Sequence, residues 1–456
     1  MNQKGSLTVM ASLSLMIIAS VLCVLLEAAR QQGLKTSVIM AEQSAMESAL
    51  SGYERTLFDE YNLMLYDLSF GGESFDLGRI EGELLIDSQK NMTSDYYCAK
   101  VLGQQLTEYY LTTDDKGAAF RKAVIDAEKP YLAEDVYNAA KNLLGKGKGL
   151  YETGANAQNA MDAADGSIES ARAERESLRE LAKENDTTGP PEPNVHNPID
   201  DVKKLKKKGI LSLVLPEGKA ASQKSVSKSE LLSNRNVLSG NWTGEIFTES
   251  SASDILFNAF LDSRLSCYGR ENTGKVHALD YEREYIVGGK TSDVDNLKTV
   301  VNEIMLIRTG INFAKTHAKP EKVSEALSIA TSLLAFTVIG EAAAPAVAEG
   351  IIGAWAYIDS VEDLKALMRG SKVDSFSYED YLNILVFLKS KETQNLKTMD
   401  IIEQNLRLLT ENPLVKLDNM AVSVEAEGTY EISPLFFKRV GIYELSCRRR
   451  ISYLKA

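Results

Sequence analysis

Residues Leu7 to Leu26 read LTVMASLSLMIIASVLCVLL, twenty positions without a charge. A helix of that length, rising 1.5 Å per residue, covers about 30 Å, the hydrocarbon thickness of a bilayer. Eleven of the twenty are Leu, Ile or Val. On the insertion scale these contribute together roughly −3 to −6 kcal/mol, against small costs for Thr8, Ser12, Ser14 and Ser20. Everything that follows is therefore read as something held at a membrane.

The apolar run exceeds the 7–15 residues of a usual signal-peptide core, and Leu26-Glu27-Ala28-Ala29-Arg30 is a poor cleavage site. We read it as a retained single-pass anchor. Flanking charge nearly ties, with Lys4 and the α-amino group on one side and Arg30 and Lys35 on the other. The very short basic tail favours an inside-facing start and an extracytoplasmic bulk. Residues 1–30 carry +1 of a total of −13, leaving −14 on the remainder. So acidic a body argues against nucleic acid as a partner, which needs a basic face. It argues equally against a body lying flat on anionic lipid.

Beyond the anchor, Leu34, Val38, Ala41, Ala45, Ala49, Tyr53, Leu57 and Tyr61 recur every three or four residues. That period predicts one long amphipathic helix, a stalk or a helix packed on its own domain. Tyr61 to Leu68 reads as a strand ended by Gly71-Gly72, and helices are expected over 129–144 and 156–183. The second of these carries Ala and i, i+4 charge pairs with few large apolar residues, so it reads as exposed or coiled-coil-like. Gly145-x-Gly147-x-Gly149 lacks a preceding strand and reads as a flexible turn. The prolines of 185–198 make a linker, Lys203 to Lys208 a basic cluster on a solvated helix face, and 219–236 a mobile Ser/Lys-rich loop.

The second half reads as more compact. Helices are expected over 253–265, 294–318, 359–369, 378–391 and 398–409, the second capped by Ser292-Asp293. Val276 to Val287 alternates and predicts a strand, with a turn at 288–291. Ala326 to Ile358 is apolar, but Glu341, Pro345 and Glu349 interrupt it, which predicts a buried helical hairpin rather than a second span. Residues 420–453 read as strands closing a sheet, with turns at Gly428 and Pro434. The domain plan is thus 1–30 leader and anchor, 31–184 stalk and helical region, 185–240 linker and loop, and 241–456 compact α+β domain. The fold class is helix-rich α+β with a small antiparallel sheet.

Chemistry is sparse. On a strand, Asp280, Glu282 and Glu284 would share one face, a carboxylate cluster able to bind Ca²⁺ or supply an acid and a base; a solvated face beside Arg283 is the plainer reading. Gly289-Lys290-Thr291 mimics the end of a phosphate loop, yet Glu284 stands where the loop needs Gly. His196, His277 and His317 are scattered, and Cys98, Cys267 and Cys447 have no ligand spacing. We expect no catalytic residue, no metal, no cofactor and no small-molecule substrate, hence not an enzyme. One disulfide among the three cysteines stays open beside three buried thiols.

Two stretches carry a resemblance. Lys4-Gly5-Ser6 before the apolar helix, with Glu27 and Arg30 closing it, resembles type IV pilin-like proteins, including the pseudopilins of tight-adherence (Tad) pili. That resemblance implies a prepilin-type cut between Gly5 and Ser6, although Met10 stands where the family usually has Glu. The block Asp280 to Lys290, which contains Glu282, Glu284, Tyr285 and Gly288, resembles a bacterial membrane protein family catalogued as domain of unknown function 5702. So do Asp293, Asn296, Arg308, Asn312 and Trp355. This family occurs in Gram-positive bacteria, often beside Tad pilus genes. The resemblance implies a non-enzymatic, membrane-anchored component of a Tad-like pilus or secretion system, with other membrane proteins of that machine as partners. An anchored surface hydrolase, or a membrane-bound scaffold or sensor with a cytosolic body, are the alternatives.

Overall fold

The computed structural model describes residues 3–92, 99–129, 134–244, 251–270, 276–338, 340–436 and 441–454. The chain divides into two compact units, each discontinuous in sequence. The first comprises 1–127, 235–248 and 406–456; the second comprises 128–234 and 249–405.

The first unit is built on α1 (Gln3–Leu50), a single 48-residue helix. Its first half is bare: Leu7, Met10, Leu15 and Ile17 are all exposed. It is the one helix among the described residues long and apolar enough to cross a membrane. From Leu34 on, the predicted stripe is buried, with Leu34, Val38, Ala41 and Ala45 all inside. The helix stops at Leu50, short of Tyr61 at the end of the predicted stripe. The chain turns through 51–54 and restarts as α2 (Arg55–Tyr61), where Glu54 accepts the Thr56 N–H. The period survives that break because Leu57 and Tyr61 still face the core.

The expected strand over 61–68 shrinks to β1 (Tyr66–Asp67). Then come α3 (Leu77–Asn91), β2 (Ala99–Leu111), α4 (Asp114–Glu128), and near the C-terminus β3 (Met420–Ile432) and β4 (Tyr443–Ser452). The sheet is antiparallel and centred on β3, with β2 along one edge, β1 and β4 along the other. Gly428 is no turn: it pairs with Gln104 and Cys447 in the middle of β3. The reason is steric, since a Cβ there would lie 2.4 Å from the Glu42 carboxylate of α1. β3 runs antiparallel to α1. Tyr430 and Ile432 pack with Leu34 and Val38, whereas Val424 and Ala426 pack with Ala45 and Met46. Buried Glu42 ties the two by accepting hydrogen bonds from the Tyr430 hydroxyl (2.5 Å) and the Gln104 amide (2.8 Å).

The second unit is helical: α5 (Glu134–Glu184), α6 (Pro198–Lys208), α7 (Ile210–Val214), α8 (Ser251–Arg264), α9 (Glu282–Gly288), α10 (Asp293–His317), α11 (Pro320–Leu334), α12 (Gly340–Met368), α13 (Tyr378–Leu388) and most of α14 (Lys391–Leu409). Three expectations are corrected here. The helix α5 runs through Gly145, Gly147 and Gly149 with no turn. Its downstream half is a core element, with Ala157, Met161, Ala164, Ile168 and Ala171 buried. Its small residues are there for close approach rather than exposure. A Cβ on Gly154 would sit 1.8 Å from the Leu306 carbonyl of α10, and one on Gly350 of α12 would sit 2.2 Å from the Ala164 Cβ. The third correction is the 219–236 segment, which is pinned by buried Leu231 and Leu232 and a bridge from Ser225 to Ser292. As expected, α11 and α12 form a hairpin with Ala330, Leu333, Ile351 and Ile352 buried.

The helix crossing yields a prediction. Gly310 of α10 faces Leu150 and Gly154 of α5, with a new Cβ 2.5 Å from the Leu150 carbonyl. Gly310→Val is expected to lower the stability of this unit by about 1–3 kcal/mol through overpacking. A urea midpoint equal to wild type would contradict that packing.

Candidate functional site

Two places gather the residues singled out by sequence. At the foot of the first unit, Gly5 and Ser6 lie exposed within α1, and Met10 is exposed with the rest of the apolar run. At its far end the Glu27-x-x-Arg30 pair closes as a buried ion pair of 2.5 Å, because i, i+3 positions lie on one helix face. The pair also reaches outward: Arg30 donates to the Ser433 carbonyl (3.1 Å), and the Leu435 N–H donates to Glu27 (3.3 Å). The hydrogen bonds from the Arg30 guanidinium hold the Glu27 carboxyl below its usual range. The structure thus gives these two residues a job that sequence spacing had not: they fasten the β3–β4 connection to the helix just beyond its apolar run.

The second place is the 280–312 block. The expected strand over 276–287 is helix instead, α9. Alternation misled because residues 281–287 are buried on every side, polar and apolar alike. Gly289 ends the helix in a left-handed conformation (φ 62°), and its N–H donates to the Tyr285 carbonyl at 2.7 Å. Gly288 is required by contact, since a Cβ would lie 2.7 Å from the Asn296 side chain. Asn296 uses that closeness to clamp the turn, accepting from Lys290 N–H and donating to Lys290 C=O, both at 2.8 Å.

The carboxylates do not share an open face. Glu282 accepts from the Ser266 N–H and hydroxyl and from the Asn405 amide, and lies 2.8 Å from His277. Asp293 accepts from the Asp280 and Tyr281 N–H groups and the Ser222 hydroxyl, although burial pushes its pKa up. Ser292, as expected, caps α10 through the Asp295 N–H. Arg283 is fully buried against Asp262 and Asn383. Tyr285 donates to Asp400 at 2.7 Å. Arg308 reaches Asp363 (2.5 Å), Asp374 (2.8 Å) and Tyr381 (3.1 Å), and Asn312 joins them through Asp363. Trp355 stands apart, half-buried under the Lys322 ammonium. Each named charge is thus spent on holding elements together.

Glu284 is the exception in kind. It accepts from the Tyr268 N–H and the Tyr378 hydroxyl, both at 2.8 Å, yet burial pushes its pKa up to about 7. Below the unfolded value near 4.5 both states carry the proton. As pH rises to 7 the unfolded chain releases it first, so stability falls. Relative to Glu284→Gln, the wild-type unit is expected to lose about 3 kcal/mol between pH 4.5 and 7. Urea midpoints of the two proteins falling in parallel over that range would disprove it.

The remaining groups offer no metal centre: among the described residues no three His, Cys, Asp or Glu converge. Cys267 and Cys447 are buried free thiols, and Cys98 lies outside the described residues. Of the Lys203–Lys208 run, Lys203 pairs with Asp165 and Glu169 of α5 and Lys206 approaches Asp162, while Lys204, Lys207 and Lys208 lie on the expected solvated face. A cleft of about 560 Å³ lies along α5 between Arg172, Arg175 and Arg179 and the 192–197 segment. Its arginines are engaged with Asp200, the Leu333 carbonyl and Glu192 respectively.

These features define a helix-rich α+β protein with a long, bare, apolar N-terminal helix and an ion-paired interior. Residues 189–377 and 374–432 match the family of unknown function DUF5702, and the chain belongs to that family. No curated protein and no solved structure matches it.

Proposed function

We propose that this protein is a non-enzymatic, membrane-anchored component of a Tad-like pilus or secretion system, with its bulk outside the cytoplasm. The observation that carries the reading is the exposed apolar half of α1, continuous with the half that organises the sheet. An uncovered stretch of this length has a place in lipid or among other apolar helices. The Gly5–Ser6 junction adds the pilin-like element, and the acidic body suits a domain held off an anionic surface. The burial of Glu282 and Glu284 favours a bracing role for this block over surface hydrolysis.

The mature N-terminus of the native protein tests the pilin-like part. Serine at the start supports it; an intact leader reduces the protein to a plain anchor. Protease shaving of intact cells tests the orientation, and a protected body would reverse it. Deletion tests the assignment to the machine, which falls if piliation and secretion are unchanged.

A further inference from the structure

We infer that Leu435, Phe436, Ile442 and Tyr443, on the β3–β4 connection beside the Glu27–Arg30 pair of α1, form a second membrane contact, a wedge seated in the lipid headgroup layer. The inference rests on the reading of residues 7–26 as a membrane span. Arg30 lies four residues past Leu26, about 6 Å along the helix axis. The headgroup layer beyond the 30 Å hydrocarbon core is itself roughly 5–8 Å deep on each side. Arg30 and its Glu27 partner therefore sit at headgroup depth whichever way the chain is oriented. Through the Ser433 carbonyl and the Leu435 N–H they hold the end of β3 at the same level.

Four described residues on either side of 437–440 are apolar and exposed there. Leu435, Phe436, Ile442 and Tyr443 are 40, 44, 63 and 37% exposed. In water such side chains waste apolar area; at the interface they bury it, and aromatic rings are favoured at this depth. The proposal uses these four residues alone, since 437–440 lie outside the described residues. The opposite end of β3 is different in kind. It meets β1 through Ala421 and Met420, roughly 40 Å away along a 13-residue strand. A helix and a wedge at one level make two points of attachment, which limit tilting of the first unit about the span.

The full-length protein is reconstituted in phosphatidylcholine vesicles and carries one added tryptophan, beside native Trp242 and Trp355. Phe436→Trp and Ile442→Trp are the reporters. Leu414→Trp, also exposed but beyond the far end of β3, is the control. Lipids brominated near the headgroup are expected to quench the emission added by either reporter at least twofold more than that added by the control. Flotation with the vesicles is scored in parallel. Flotation without extra quenching overturns the wedge and leaves the span intact, the result expected if a protein partner covers this patch. No flotation overturns the wedge together with the span it rests on.

Discussion

Arginine at both Ile17 and Ile18 is expected to shift the full-length protein from the carbonate-resistant membrane pellet to the supernatant. The two positions are at the middle of the 7–26 run, where each arginine costs about 2.5–3.5 kcal/mol on the insertion scale and each lost isoleucine about 0.5 kcal/mol. The sum, roughly 6–8 kcal/mol, cancels the entire favourable contribution of the eleven branched side chains. Both positions are exposed within the protein, so the folded units are expected to unfold at the wild-type temperature. A double variant that still resists carbonate would remove the case for lipid insertion.

The second large effect lies in the helical unit. Arg308→Met is expected to destabilise it by about 2–3 kcal/mol, because it removes a buried guanidinium whose hydrogen bonds go to half-buried Asp363 and exposed Asp374. Asp363 receives two of the guanidinium's hydrogen bonds and Asp374 another. Lysine is not expected to rescue, since a single ammonium cannot span the fork that reaches Asp363, Asp374 and Tyr381 together. Arg308→Met combined with Asp363→Leu is expected to recover part of the loss, because the orphaned carboxylate leaves with its partner. Thermal unfolding of the three variants reads the result. Equal stability of the single and double variants would show that the arginine does not depend on Asp363.

Long periodic elements were the legible ones. The apolar run, the stripe from Leu34 to Tyr61, the capped helix after Ser292 and the 326–358 hairpin all follow from repeat length and capping chemistry. The exceptions have two physical causes. In α5, alanine and glycine can signify exposure or near contact, and the choice depends on α10 and α12, which lie more than a hundred residues downstream. In α9, alternation indicates a strand only if one face is wet; buried all round, the same letters follow hydrogen-bond partners such as Ser266 and Asn405 that no local rule supplies. The polar block that resembled a family was legible as a unit, yet its geometry is an interior brace, not an open site. The hairpin end at Leu435 and Phe436 had a signal too, apolar residues between two strands, but its meaning needed the depth that Arg30 sets.

The central strand of the sheet is synthesised long after the helix it packs on. Between Leu50 at the end of α1 and Ile432 at the end of β3 the ribosome adds 382 residues (432−50), roughly 20–75 s of translation at ordinary rates. Throughout that interval the flank of α1 bearing Leu34, Val38, Ala45 and Met46 waits without β3. The helical unit, whose last residue is Asn405, can close before the sheet, although β1 and β2 precede that unit in the chain. A stalled chain ending before Met420 is left with that apolar flank uncovered, a ready substrate for quality-control proteolysis.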